Sequence, residues 1–320
     1  MNGALLINKS EGISSFGVIE HLQKQWLEEN PRTHRKHRPK LGHGGTLDPF
    51  ATGMLIVLCG KAVKLARYFL GATKYYEGLI HFGQTTIPGD PTDPISETSP
   101  NLPASLEQLQ ELAKKLTLQP YQQIPPMHSA KKLNGKPLYE LARAGLDVER
   151  EPKTCYLYEF LIQEYSAPNA KFGLKCSSGT YVRTLAQDFA RMLNTVGMLD
   201  SLHRTSCGVF PIEKAMTLDQ ILQAGKNGES WDELPCWIPF DRLLDGYSRA
   251  EASSMEKEAL NRGQQNVLFN ILKRMESPTE RSSERDDCVA IFCDNSLIAV
   301  ARRDENIWGI ERVFSSAAQN

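Results

Sequence analysis

Between Gly42 and Gly53 the sequence runs Gly-His-Gly-Gly-Thr-Leu-Asp-Pro-Phe-Ala-Thr-Gly, four glycines with one imidazole and one carboxylate. Glycine tolerates positive φ and lets a ligand come close to the backbone. Pro49 steers Asp48 away from the helical region toward an extended conformation. The stretch therefore mounts a single acid on a constrained, uncluttered loop just ahead of the apolar run 54–58. With a reference pKa near 3.9, such an acid is ionised at neutral pH and suited to act as a nucleophile. A glycine-rich turn entering a buried strand, with Asp48 as a turn-former, is the other reading of the same residues. His43 has no His or Cys partner at metal-ligand spacing, which argues against a metal role.

What must position this loop is an ordinary globular chain. Its 320 residues are 41% hydrophobic and 23% charged, enough for one large domain, or one large and one small. No apolar run approaches the ~18 residues of a membrane helix, and the N-terminus lacks a signal-peptide pattern. Seven scattered cysteines form no CxxC pair, so disulfides and structural zinc are not expected and a reducing, cytoplasmic compartment is. A net charge of −1 excludes a global polyanion signal, and any such site must come from local clusters. The candidates are the basic, proline-flanked run 32–40, together with Lys131, Lys132 and Lys136.

Period and punctuation predict the elements. Leu5–Lys9 reads as a buried strand. Ser14 or Ser15 caps a helix carrying Phe16, Val18, Ile19, Leu22 and Trp26. An amphipathic helix is expected over 60–70, a strand over 74–83 and a long loop over 85–103. Ser105 with Gln108 and Thr217 with Gln220 form capping boxes ahead of further helices. Residues 138–144 read as a short helix, 155–163 and 171–176 as strands, and the stretch to about Leu193 as a helix. Lys273–Asp287 reads as a mobile polar loop. Residues 288–301 read as a hairpin turning at 293–296, with one more strand over 307–314. Strands and helices mix without a regular βαβ repeat, which points to α+β. The turn-rich stretch 225–235 suggests a division into residues 1–235 and a small β-rich module over 236–320.

Separated segments together resemble the TruB-type tRNA pseudouridine synthases. The Gly42–Gly53 stretch is similar to that family's catalytic-aspartate motif, and Lys74-Tyr75-Tyr76-Glu77 to its Lys-x-Tyr strand. Residues 124–132 with 135–145 match another block, and Cys176-Ser177-Ser178-Gly179-Thr180-Tyr181-Val182-Arg183-Thr184 matches the catalytic-arginine block. The blocks fall in the family's order across roughly 3–215. The resemblance implies a mixed, largely antiparallel synthase domain that isomerises the T-loop uridine of tRNA to pseudouridine on a flipped-out base. It implies neither metal nor cofactor, tRNA as the partner, and no obligatory protein partner. The terminal strands are similar to a reduced PUA-type RNA-binding module.

By the same resemblance Asp48 is the nucleophile, or the group assisting elimination to a glycal. Arg183 pairs with it, holding the carboxylate ionised and oriented. Tyr76 stacks on the target base and helps remove the C5 proton. Tyr181 and Leu202 surround the flipped nucleotide, and His43 contacts the RNA as the base leaves its loop. Asp90 is a substrate residue of the family's Thr-Asp-Thr-x-Asp segment, although Ile87 and Pro88 depart from that pattern. Other readings are a tRNA-binding or tRNA-folding protein with secondary or no catalysis, a guide-RNA-dependent relative, and a hydrolase using a lone aspartate.

Overall fold

The computed structural model describes residues 1–34, 37–127, 129, 132–133, 135–146, 148–275, 287–305 and 307–314. Its centre is a ten-stranded mixed sheet. Across the sheet the strands run Leu157–Ser166, Asn169–Cys176, Lys74–Phe82, Gly197–Cys207, Thr52–Cys59, Gly3–Lys9 and Met216–Thr217. Most pairs are antiparallel. Gly197–Cys207 meets Thr52–Cys59 in parallel, as does Gly3–Lys9 with Met216–Thr217. The expected α+β arrangement is thus present, and the apolar run after the glycine loop is a central strand. Met54 to Cys59 are each at most 1% exposed, as expected of a strand covered on both faces. Truncating one of these, such as Leu55→Ala, removes roughly 2–5 kcal/mol.

Local chemistry explains most helix ends. Ser14, not Ser15, caps the helix Ser15–Glu29, accepting from the Gly17 N–H at 2.9 Å. Phe16 is 60% exposed, so the buried stripe is Val18, Ile19 and Leu22 without it. Ser105 caps Leu106–Thr117, and Thr217 forms a complete box with Gln220 at the start of Leu218–Lys226. The expected helix over 60–70 is instead a 3-10 stretch, Gly60–Leu65, followed by one α-helical turn and a half, Ala66–Leu70. The expected loop 85–103 contains a two-stranded ribbon, Gln84–Thr86 with Ile95–Thr98, whose turn-forming residues hid the short strands.

The chain returns to the main sheet after residue 235. Trp231 is 2% exposed, and Trp237–Pro239 pairs with Gly3–Leu5. A four-stranded sheet follows, Ser248–Glu251, Cys288–Cys293, Ser296–Asp304 and Ile307–Val313. Its hairpin turns at Asp294 and Asn295, both with positive φ, at the position the sequence marked. One face carries the helices Ser254–Asn261 and Val267–Lys273, packed on Val289, Ile291 and Ala299. The other face, with Ala290, Phe292, Val300 and Phe314, joins the main core. Most of the expected polar loop 273–287 lies outside the described residues, and so does Lys131 among the candidate phosphate contacts.

Candidate active site

The Asp48 loop is tied down from every side by groups that the apolar pattern conceals. Ser15, free of capping duty, donates its hydroxyl to the Leu47 carbonyl at 2.9 Å and accepts from the Leu47 N–H at 2.7 Å. The Gly44 N–H donates to the Ile56 carbonyl at 2.8 Å. Lys9, wholly buried, donates to the carbonyls of Ser10 and Ile13 at 2.8 Å and of Pro49 at 3.2 Å. Its three protons are thereby satisfied, yet burial still lowers its pKa to about 8. Beyond the loop, Gly53 has φ +101°, and a Cβ there would lie 2.3 Å from the Arg204 carbonyl oxygen. Only glycine lets the parallel strands meet at that point.

Arg183 comes from the first turn of the helix Val182–Arg191, where a cation opposes the helix dipole. Two carboxylates compensate. The Arg183 Nε lies 2.8 Å from Asp48 Oδ2, and its Nη1 lies 3.2 Å from Asp90 Oδ2. Nη1 also donates to the Pro88 carbonyl at 3.2 Å. Arg183 is 4% exposed, so this is an inward network and not a surface pair. Burial raises the Asp48 pKa above its ordinary value; Arg183 opposes that, and the like charge of Asp90 adds to it.

Asp48, Tyr76, Tyr181, Arg183 and Leu202 line one cavity of about 240 Å³, with Lys74, Cys176 and Arg204. Tyr76 stands on the strand Lys74–Phe82 and is 9% exposed; burial pushes its phenol up to about 12, against the pull of Arg204. Gln123 clamps Tyr181, accepting from its N–H at 2.7 Å and donating to its carbonyl at 2.9 Å. Lys74 donates to the carbonyls of Phe69, Leu70 and Ala72, closing the end of the short helix beside the cavity. Burial lowers its pKa to about 8.

Two expected site residues stand elsewhere. Asp90 is 3% exposed, and its carboxylate is turned to Arg183 and Thr92, away from the cavity lining. The Pro88 carbonyl joins Asp90 in gripping the guanidinium. His43 ends the edge strand Leu41–His43 beside Val57, outside the cavity lining, and burial lowers its pKa, keeping it neutral. Sequence reasoning assigned no site role to Lys9 or Arg204, offered Ser15 only as a helix cap, and placed Lys74 in the Lys-x-Tyr strand without a role of its own. A signal existed for Arg204: in a strand it shares the face of Leu202, so a charge was due to point inward.

An acid paired with a guanidinium, in one pocket with a phenol, suits chemistry at a sugar–base bond. The comparisons agree. The family described as "TruB family pseudouridylate synthase (N terminal domain)" matches residues 32–182. A tRNA pseudouridine synthase B of Francisella tularensis subsp. novicida is 40% identical over 308 residues, 95% of this chain and 92% of that protein. One from Bordetella avium is 39% identical over 223 residues, 69% of this chain and 87% of that protein. Among solved structures, a Cbf5-Nop10-Gar1 complex matches with TM-score 0.68 at 20% identity, covering 98% of this chain and 85% of that one. An H/ACA RNP bound to a substrate RNA matches with TM-score 0.66, also at 20% identity, covering 98% and 85%. At that identity the structures speak for the fold alone.

Proposed function

The chain belongs to the TruB family of pseudouridylate synthases, and on that premise we propose that it isomerises the T-loop uridine of tRNA, position 55, to pseudouridine. The observation that carries the reading is the Asp48–Arg183 pair on the wall of the cavity that Tyr76 lines. The target nucleotide swings out of its loop into this cavity, at a cost of a few kcal/mol met by the contacts it gains. Asp48 attacks C1′. The Asp48 Oδ–C1′ bond forms as the C1′–N1 bond breaks, and both electrons of the latter leave with the base. The uracil then turns, C5 bonds to C1′, and the carboxylate departs. The C5 proton is lost and N1 gains one, so the product is an isomer of the substrate. Arg183 keeps Asp48 ionised against the effect of burial, and Asp90 keeps Arg183 in place.

The RNA backbone has a path away from the cavity. A groove of about 1160 Å³ lies between the main body and the C-terminal sheet, lined by Arg67, Tyr156, Tyr158, Lys175, Ser177 and Arg302. Ser177 also lines the site cavity, so the groove borders it. Basic side chains and half-exposed tyrosines suit phosphates and bases. The four-stranded unit is taken as a small, PUA-like RNA-binding module.

The test uses an unmodified tRNA transcript and the protein without added metal. The wild type is expected to form pseudouridine, read by carbodiimide mapping or mass spectrometry. Asp48→Asn is expected to lose essentially all turnover while still binding tRNA. A wild type that binds the transcript at saturation but forms no pseudouridine would make the chain a tRNA-binding or tRNA-folding protein instead.

A further inference from the structure

Arg204 stands in the middle of three neighbouring strands, its Cα opposite Tyr76 on one side and Gly53 on the other. It is 2% exposed and lines the cavity. Its Nε donates to the Met54 carbonyl at 2.7 Å, Nη1 to the Thr46 carbonyl at 3.3 Å and Nη2 to the Gly45 carbonyl at 3.2 Å. It thus grips the Asp48 loop at both ends. No carboxylate among the described residues comes within 4.0 Å of it. A buried guanidinium is ordinarily matched by an anion, because carbonyl dipoles recover only part of its lost hydration. Asp48 and Asp90 are committed to Arg183. Arg204 is therefore a fixed positive charge at the wall of the pocket.

Its cross-strand neighbour is Tyr76, which lines the same cavity. Guanidinium groups only donate, so a phenol beside one can only accept from it and turns its own O–H to a different acceptor. Burial keeps the proton on that oxygen at neutral pH.

We propose that Arg204 is a positioning residue that turns and polarises the Tyr76 O–H toward the departing base, so that the phenol donates a hydrogen bond to the uracil anion released when the glycosidic bond breaks. The inference rests on the isomerase reading above and assigns this wall of the same site. It holds whether Asp48 attacks C1′ or takes a proton from C2′, since in both routes the bonding pair leaves on the base. The resulting charge spreads over N1, O2 and O4. The phenol keeps its proton throughout this step, and the cation behind it makes the O–H a stronger donor at a wall of buried side chains. Tyr76 thereby acquires a task in bond breaking, ahead of any part in removing the C5 proton.

Leaving-group dependence tests this. Single-turnover rates are measured on tRNA carrying either uridine or 5-fluorouridine at the target position, for wild type, Arg204→Met, Arg204→Lys and Tyr76→Phe. Fluorine withdraws electrons, so 5-fluorouracil is the less basic leaving group and needs less help. Arg204→Met is expected to slow consumption of uridine about 100-fold, and of 5-fluorouridine about 10-fold or less, with tRNA affinity within about threefold of wild type. Tyr76→Phe is expected to show the same inequality, and Arg204→Lys an intermediate one. Equal slowing on both substrates would mean that Arg204 only braces the loop, and would overturn the proposal. Unchanged rates would overturn it too. Should Arg204→Met fail to fold, judged by circular dichroism, the lysine and phenylalanine variants carry the same comparison. A wild type inactive on uridine defeats the functional reading; an active wild type whose variants lack the inequality defeats this inference alone.

Discussion

Asp48 and Asp90 share one guanidinium, and the sharing has a consequence in pH. The Asp48 pKa is raised by burial first, with a smaller contribution from Asp90 in the same direction. The nucleophilic form is the carboxylate, so activity falls as pH drops through the pKa of the folded site. The acid limb of kcat/KM is therefore expected above the ordinary aspartate value of 3.8. Asp90→Asn removes the like charge and should carry the limb to lower pH, while kcat at neutral pH falls because Arg183 loses one of its anchors. A limb that stays in place while kcat falls would show that Asp90 acts on geometry alone. Arg183→Lys retains a charge but cannot reach both carboxylates and the Pro88 carbonyl with one ammonium. A loss of about 10²–10³ in kcat, with tRNA affinity retained, is expected from single-turnover and filter-binding measurements.

At the scale of elements, the strands and helices follow from period and caps, but the fastening of the loop does not. Met54–Cys59, the box at Thr217 and the hairpin at Asp294-Asn295 each carry a local signal that no distant residue had to supply. The grip on the Asp48 loop comes from Lys9, Ser15 and Arg204, all far from it in sequence or hidden in apolar runs. A lone buried charge in a strand says that a partner exists without saying which. The same limit explains Asp90: the segment was legible as a site element, but only the fold shows that its carboxylate turns inward to Arg183. Gly53 is where the two levels meet. Gly53→Ala combines a left-handed φ with a backbone clash against Arg204 and is expected to cost about 2–4 kcal/mol, read by urea unfolding. It should also slow turnover, because Arg204 cannot both hold Gly45 and keep its place opposite Tyr76 once its strand shifts. A variant of normal stability and rate would mean that the strands can separate there freely.

For the whole molecule, the C-terminal sheet is joined to the body by more than a tether. Tyr247 donates to the Tyr68 carbonyl at 3.0 Å, Asp241 accepts from the Leu297 N–H at 2.7 Å, and Arg67 pairs with Glu311. The rings of Phe240 and Phe314 meet edge to face at 5.0 Å. These contacts set the width of the groove that opens beside the site cavity. With a net charge of −1, the protein as a whole does not attract a polyanion, so affinity must come from cations placed along such a path. Lys175 stands on the body side of the groove and Arg302 on the module side. Each phosphate contact releases about one counterion, so Lys175→Ala and Arg302→Ala should each lower the slope of log affinity against log salt by about 1. The double variant is expected to lower it by about 2, leaving kcat at saturating tRNA unchanged, since neither side chain lines the cavity of Asp48. Titrations of labelled tRNA at several salt concentrations supply the slopes. If Lys175→Ala lowers the slope and Arg302→Ala does not, the module takes no part in holding the RNA along this groove, and the path must stay on the body.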